Sequence, residues 1–286
     1  MESFDAVAVG VRCAAFVAAL QAAGLSFFVA AHRATLAENA SPLLSLARSM
    51  TLAGIALILS HQGVEAARLA GDWSGLVDYD VQQGNWHRSP GVSALVAAAG
   101  LAIEYAGGCL RGAASRTLTV IGALGVVASF ALTGHTTDST VAPLVRLLLA
   151  LHVAIVGYWL GSIVALMRLT RVATTQSLTK ASMAFSASGV WIVPAIFPIG
   201  VGMAIGLLPN VAALWTVYGA LLALKVSGFA VLMALAAFNR WRVVPALEHE
   251  PLVATRRFRR MLHAEYLLLI GVLSVTAVMT SVYSWH

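Results

Sequence analysis

The stretch that decides the fold class runs from residue 142 to residue 168 and reads APLVRLLLALHVAIVGYWLGSIVALMR. An α-helix of this length extends about 40 Å, which is more than the roughly 30 Å needed to cross the hydrocarbon of a bilayer. The whole chain of 286 residues has the same character, with 59% hydrophobic residues, 10% charged residues and a mean hydropathy of +0.85. Water-soluble domains carry more polar surface than this. The sequence therefore predicts an integral membrane protein.

Similar apolar stretches recur along the chain and predict about eight transmembrane helices. Their expected bounds are 6–31, 43–69, 90–110, 117–136, 142–168, 181–208, 215–240 and 257–283. We predict an all-α, polytopic membrane helix bundle that forms a single integral membrane domain over residues 1–286. The N-terminus lacks the positively charged start of a cleaved signal peptide, so we expect the first apolar segment to be a retained helix.

The positions of Lys and Arg predict the orientation, because positively charged residues are retained on the cytoplasmic side of a membrane. Every odd-numbered loop is basic, whereas the even-numbered loops are acidic, mixed or free of Lys and Arg. Both termini are therefore expected to face outward. The longest polar loop, from Gly71 to Pro90, would then lie outside. The basic residues of the odd loops are Arg33, Arg111, Arg116, Arg168, Arg171, Lys180, Arg240, Arg242, Arg256, Arg257, Arg259 and Arg260.

Pro and Gly residues predict how some helices bend and pack. Pro194 and Pro198 remove backbone donors and should kink the sixth helix. Two pairs of glycines at a spacing of four residues should allow neighbouring helices to approach closely. These pairs are Gly157 with Gly161 and Gly202 with Gly206.

The composition also argues against several functions. The net charge of +6 comes from arginines in short loops, where they act as topology determinants, so we expect no nucleic-acid partner. Cys13 and Cys109 each lie inside a predicted helix and form neither a disulfide framework nor a CxxC site. The chain contains no GxGxxG dinucleotide site, P-loop, HExxH or GxSxG motif. A transporter or metal-binding membrane protein is favoured over an enzyme.

Histidines at the outer side are the main candidates for chemistry. His61 and His135 lie near the outer ends of their helices, and His152 lies about 14 Å inward from Pro143. Neutral imidazole binds copper, zinc or haem iron, so these three side chains, if they converge, predict a metal site. Glu65 follows His61 by four residues and shares its helical face, where it would bind the metal or orient the imidazole.

Further candidates are soft or buried groups. Met203 and Met279 carry thioether sulfur, which favours Cu(I), in the outer halves of their helices. Lys225 lies deep in the seventh helix and needs a partner, for which Glu265 is the candidate. We predict that these two form a buried ion pair or a proton relay. Glu104 lies near a cytoplasmic helix end and is expected to be interfacial.

Several short motifs occur in an order and spacing that resemble the copper-resistance protein D family of bacterial inner-membrane proteins. The resemblance extends from about residue 117 to residue 283. The motifs are Thr133-Gly134-His135-Thr136, Leu151-His152, Tyr158-Trp159-Leu160-Gly161, Tyr218-Gly219 with Leu222 and Lys225, Asn239-Arg240 with Pro245, and Arg256-Arg257 with Glu265.

The resemblance implies eight helices, copper handling at or across the bacterial inner membrane, and cooperation with a periplasmic copper-binding protein. It also implies that His135, His152, Lys225 and Glu265 are functional or structural centres. The leading hypothesis is an inner-membrane protein of copper uptake or homeostasis that captures copper with His and Met residues on the periplasmic side. The alternatives are a b-type haem electron carrier with two His ligands and a partner subunit that holds no metal.

Overall fold

The computed structural model describes residues 3–133, 142–207 and 210–282, and within these ranges the chain is helical, without β-strands. The helices are α1 (Ser3–Ala31), α2 (Arg33–Leu36), α3 (Ala40–Ala70), α4 (Tyr79–His87), α5 (Ser89–Cys109), α6 (Gly112–Phe130), α7 (Ala142–Val172), α8 (Thr175–Ile192), α9 (Ile196–Leu207), α10 (Val217–Phe238), α11 (Val244–His249) and α12 (Pro251–Val282).

Eight helical spans in the described ranges are long and apolar enough to cross a membrane. They correspond to α1, α2–α3, α5, α6, α7, α8–α9, α10–α11 and α12. The prediction of an all-α polytopic bundle with eight membrane helices is confirmed. The protein is therefore a multi-pass membrane protein whose surrounding solvent is the lipid bilayer.

Some helix boundaries differ from the predicted ones. The last helix begins at Pro251 rather than at 257, and the seventh span continues through α11 to His249 rather than ending at 240. Helix α6 ends at Phe130 instead of 136. Hydropathy identifies the part of a helix that lies in hydrocarbon, whereas backbone hydrogen bonding continues into the more polar layers on either side. The arginines at 256–260 consequently lie on a helix and not in a loop.

The predicted outer loop between Gly71 and Pro90 is also more ordered than expected, because it contains a 3₁₀ turn and helix α4. The carboxylate of Asp78 caps α4 by accepting hydrogen bonds from the backbone N–H groups of Asp80 and Val81, at 3.0 and 3.1 Å. An N-terminal Asp is a preferred cap because it satisfies donors that have no partner within the helix. The loop is therefore a short capped helix.

Helix α1 lies between the first helices of the chain and the last ones. It packs antiparallel to α3, where Gly54 faces Ala19, and it packs antiparallel to α12, where Cys13 meets Ser274 at 3.2 Å. Arg12, near the start of α1, donates to Ser281 near the end of α12. These two helix ends therefore lie at the same end of the bundle. We call it the outer end, following the orientation predicted from the charges, and the opposite end the inner end.

Glycines allow the closest helix crossing of the bundle, between α1 and α7. A Cβ atom on Gly161 would overlap the backbone of Gly24 and Leu25, and a Cβ atom on Gly24 would overlap the backbone of Gly157. The predicted packing role of the pair Gly157 and Gly161 is thus confirmed. Only small residues let two helix backbones come this close.

The sixth span is interrupted as its prolines predict. Helix α8 ends at Ile192, a 3₁₀ turn contains Pro194, and α9 follows from Ile196. The second predicted glycine pair then lies against α7. Cβ atoms on Gly202 and Gly206 would lie 3.2 and 2.7 Å from side-chain atoms of α7.

Candidate metal centre at the outer end

The candidate metal centre begins with two side chains on one face of α3. The Nε2 atom of His61 lies 3.5 Å from an oxygen of Glu65, the contact expected for residues four apart on a helix. This nitrogen is buried and makes no hydrogen bond within the described residues. A buried ring nitrogen without a hydrogen bond is costly unless it meets a ligand, a proton donor or water.

Charged residues on α1 and α3 extend this pair into a network. The other oxygen of Glu65 accepts from Arg68 at 3.3 Å, and Arg68 also pairs with Asp5 at 3.1 Å. The carboxylate of Glu65 can therefore turn toward another cation without leaving Arg68 unpaired, because Arg68 would still be paired with Asp5. Ion pairs that are partly exposed in this way contribute little to stability on their own.

The His61 side chain borders a polar cavity of about 290 Å³ at the outer end. The cavity lies between the outer parts of α1, α3, α5 and α12, and it extends to Thr133 after α6. Its hydrogen-bonding and charged lining residues are Arg12, His61, Gln62, Glu65, Arg68, Asn85, Arg88, Ser93, Ser129, Thr133, Thr280 and Ser281.

Arg12 is one of the residues of this cavity that could not be identified as a site residue from the sequence, and Arg68 is another. It lies inside an apolar stretch of α1, donates to the carbonyl oxygen of Thr280 at 3.3 Å and to Ser281 at 3.0 Å, and packs over Phe16 at 5.4 Å. The positive charges of Arg12 and Arg68 act on the His61 imidazole. Because like charges repel, these arginines oppose a metal cation at His61, while Glu65 favours it.

Helix α4 covers the outer cavity through an amide interaction. The buried side chain of Asn85 donates to both the backbone and the side-chain oxygen of Gln62, each at 3.0 Å. Gln62 precedes Glu65 on α3 and follows His61 directly. The short helix that the sequence analysis assigned to a loop therefore holds the outer end of α3, which carries the candidate ligands, in place.

His152 lies in different surroundings, on the side of α7 that faces α9 and α10. Its ring lies near the backbone of Ile196 and in the electrostatic field of Lys225, and Gly200 of α9 approaches it. Its Nδ1 atom is buried without a hydrogen bond. None of these neighbours borders the outer cavity, so the structure does not bring His152 together with His61.

The remaining predicted ligands do not complete a metal site within the described part of the chain. Met203 is half-buried on α9, and Met279 is buried on α12 but does not line the outer cavity. His135 lies outside the described residues. Across residues 3–133, 142–207 and 210–282, no three His, Cys, Asp or Glu side chains form a cluster that could hold a metal ion. The ligand set predicted from the sequence stays a prediction.

The structure does not pair Lys225 with Glu265. The buried carboxyl of Glu265, 3% exposed, accepts a hydrogen bond from Asn239 at the inner end of α10. Lys225 precedes Asn239 by 14 residues on this helical span, which corresponds to a rise of about 21 Å. That separation exceeds the reach of a lysine side chain. Lys225 faces the His152 side of the bundle instead.

Glu104, which was predicted to lie near the membrane interface, is buried between helices. Its side chain is 2% exposed and accepts a hydrogen bond from Ser26 of α1 at 2.7 Å. Glycines bring α5 and α6 together beside it, since a Cβ atom on Gly122 would lie 2.5 Å from the Glu104 backbone nitrogen. The distance of a residue from its helix end indicates its depth in the membrane. Whether Glu104 is buried depends instead on the face of α5 that carries it, because α1 and α6 pack on that face.

By its fold and its polar clusters, this chain is a multi-pass helical membrane protein with a charged cavity at one end. Residues 179–279 match a family model described as copper resistance protein D. The match covers nearly all of the chain from α8 to α12 and confirms the resemblance to this family there, whereas the motifs between residues 133 and 161 lie outside the matched residues. This part of the chain is therefore similar to the copper resistance protein D family. No curated protein and no solved structure matches the chain.

Proposed function

We propose that the protein binds copper at the outer end of the bundle as part of copper uptake or homeostasis in the bacterial inner membrane. The observation that carries this proposal is the buried His61 Nε2 atom, which lies beside Glu65 without a hydrogen bond. The ring nitrogen of a neutral imidazole is a good copper ligand. The family match in the second half of the chain supports copper as the ion.

Two ligands with arginines nearby favour temporary capture over tight storage. An ion that is to be passed on must be bound well enough to enter and weakly enough to leave. His61 and Glu65 would provide the first contact for copper delivered by a periplasmic copper-binding protein. His135, His152, Met203 and Met279 remain our predicted further ligands, and buried Lys225 and Glu265 remain candidates for a proton relay.

Copper titration of purified protein in detergent tests this proposal. We expect His61→Ala to weaken copper binding at least about tenfold, because removing one of few ligands greatly lowers metal affinity. Glu65→Gln should weaken it less, since the carboxylate contributes charge and orientation. His87→Ala is the matched control, because His87 is exposed on the same side of the bundle and bonds to the Gln83 carbonyl.

Unchanged copper affinity in folded His61→Ala protein would remove the basis of the proposal. Size-exclusion profiles should show that each variant is folded, so that loss of copper is not confused with loss of structure. An absorption spectrum of the same samples separates copper from the haem alternative, because a Soret band would indicate a porphyrin.

A further inference from the structure

A second cavity, of about 260 Å³, lies in the inner half of the bundle between α7, α8, α10 and α12. Most of its walls are apolar, and four aromatic side chains contribute to them: Trp159, Phe185, Trp241 and Phe258. Trp241 is 68% exposed and Val190 is 38% exposed, so the cavity opens on the outside of the bundle between α8 and α10. In a membrane, this surface faces lipid.

Two buried polar atoms of this cavity make no hydrogen bond. They are the Oγ atom of Ser182 and the Oδ1 atom of Asn239, and both side chains are nine-tenths or more buried, at 1% and 5% exposure. The amide nitrogen of Asn239 is already committed to Glu265, which leaves its oxygen free as an acceptor. A native protein seldom leaves such groups without a partner.

The backbone is irregular where these atoms lie. Residues Asn239–Val243 form a single π turn between α10 and α11. Such turns widen a helix locally and occur often at functional sites. Arg240, in this turn, donates to Ser186 of α8 and so ties the two sides of the cavity together.

The chemistry of the lining indicates what kind of molecule these atoms accept. The two polar atoms without a hydrogen bond belong to the uncharged side chains of Ser182 and Asn239. The cation in the lining, Arg240, already donates to Ser186. A phosphate group would need cationic partners at these atoms, whereas an uncharged hydroxyl group needs only one acceptor and one donor.

We propose that this inner cavity binds a lipid-soluble phenol or quinol. Its hydroxyl group donates to the Oδ1 atom of Asn239 and accepts from the hydroxyl of Ser182. The aromatic ring packs among Trp159, Phe185 and Phe258, and any apolar tail leaves past Trp241 into the bilayer. This inner cavity is separate from the outer one proposed for copper, so each proposal can be tested independently of the other.

Binding of tetramethylhydroquinone to the protein in lipid nanodiscs tests this site. Quenching of tryptophan fluorescence reports binding directly, because Trp159 and Trp241 line the cavity. The dimethyl ether of the same compound is the ligand control, since it keeps the ring and loses the O–H donors. We expect saturable quenching by the hydroquinone and about three- to tenfold weaker binding of the ether, the effect of a typical net hydrogen bond.

Two variants locate the site. Ser182→Ala removes one hydroxyl and should weaken hydroquinone binding about three- to tenfold. Gly189→Leu places a side chain in the cavity that Gly189 lines and should weaken binding more than tenfold. Gly271→Leu is the matched control, because a Cβ atom at Gly271 of α12 meets no other atom within 4 Å, and it should bind as the wild type does.

Equal affinity for the hydroquinone and its ether would overturn the hydrogen-bonding assignment. Wild-type affinity in Gly189→Leu would overturn the location, because quenching would then come from molecules dissolved in the bilayer. Nanodiscs without protein show how much hydroquinone dissolves in the bilayer. The Gly271→Leu variant shows the quenching expected when the cavity is intact.

Discussion

The outer and inner cavities of this protein have similar volumes, about 290 and 260 Å³, but opposite chemistry. The outer cavity is lined by charged side chains, among them Arg12, Glu65 and Arg68. The walls of the inner cavity are mostly apolar, and its two charged lining residues, Arg240 and Glu265, are hydrogen-bonded to Ser186 and Asn239. Its polar atoms without a hydrogen bond belong to the uncharged residues Ser182 and Asn239. Charges are tolerated where water is near and are costly deeper in the bilayer.

Under the two proposals made above, one bundle would serve two kinds of ligand. Metal ions and other charged species can be exchanged at the outer end, where ion pairs rearrange at little cost. Uncharged amphiphiles suit the inner cavity, which exchanges with lipid. The two regions are connected by α1, which borders the outer cavity, and α7, which provides Trp159 to the inner one.

The largest effect is expected where these two helices cross. Gly161→Leu would force α7 away from the backbone of Gly24. Overpacking typically costs about 1–3 kcal/mol, and this position is at the upper end because the neighbouring atoms belong to the backbone and cannot move aside. We expect strongly reduced yield of folded protein and a clearly lower Tm in detergent, with loss of copper and hydroquinone binding together. Thermal unfolding followed by size exclusion measures the first effect.

The same substitution at Gly271 is the control for this crossing, because that position has open space around it. Gly271→Leu should leave the Tm and both binding activities near their wild-type values. A folded Gly161→Leu protein that loses one binding activity and keeps the other would show that the α1–α7 crossing does not connect the two regions.

A smaller effect separates the charge of the outer cavity from its shape. Arg12→Gln removes a positive charge that acts on His61, whereas Arg12→Lys retains it. If copper binds at His61, we expect about threefold tighter copper binding in Arg12→Gln, because removal of a nearby cation favours another cation. The lysine variant should stay close to the wild type. Equal affinities in the two variants would argue against an electrostatic role for Arg12, and hydroquinone binding should not change in either.

The sequence predicted the membrane helices well because apolar length is a property of local sequence. The kink at Pro194 and the close approach at Gly157 and Gly161 were also predictable, since each depends on residues without a backbone donor or a Cβ atom. The contact of His61 with Glu65 follows from helical spacing alone. Helix α4 was missed because its sequence is polar and its docking depends on the buried Asn85.

The partners of the deep residues could not be predicted in the same way. Sequence position gives the depth of a residue in a helix, but the neighbours depend on how each helix is rotated about its axis. Arg12 and His61 come together, and Glu265 meets Asn239 instead of Lys225, through packing between helices that are distant in sequence. The same reasoning explains why Glu104 is buried against Ser26.

The smallest effect concerns His32, which lies at the turn after α1, between two membrane spans, and on the inner side. Its Nε2 atom lies 2.8 Å from the hydroxyl of Tyr158, and that hydroxyl lies 2.8 Å from Ser188 of α8. Phe28 packs on the ring, at 4.9 Å between ring centroids. This group of side chains contains no carboxylate that would favour protonated histidine.

Burial lowers the pKa of His32 below its ordinary value of about 6.5. The unfolded chain therefore binds a proton more readily than the folded one as the pH falls below that value. The contribution of neutral His32 to stability is complete above about pH 6.5 and is lost as the pH falls toward the folded-state pKa. We expect the Tm of the wild type to decrease more between pH 7.5 and pH 5 than that of His32→Gln, by on the order of 2 °C. Parallel Tm curves for the two proteins would mean that His32 has the same pKa in the folded and the unfolded protein, and that the fold gains nothing from excluding charge at this position.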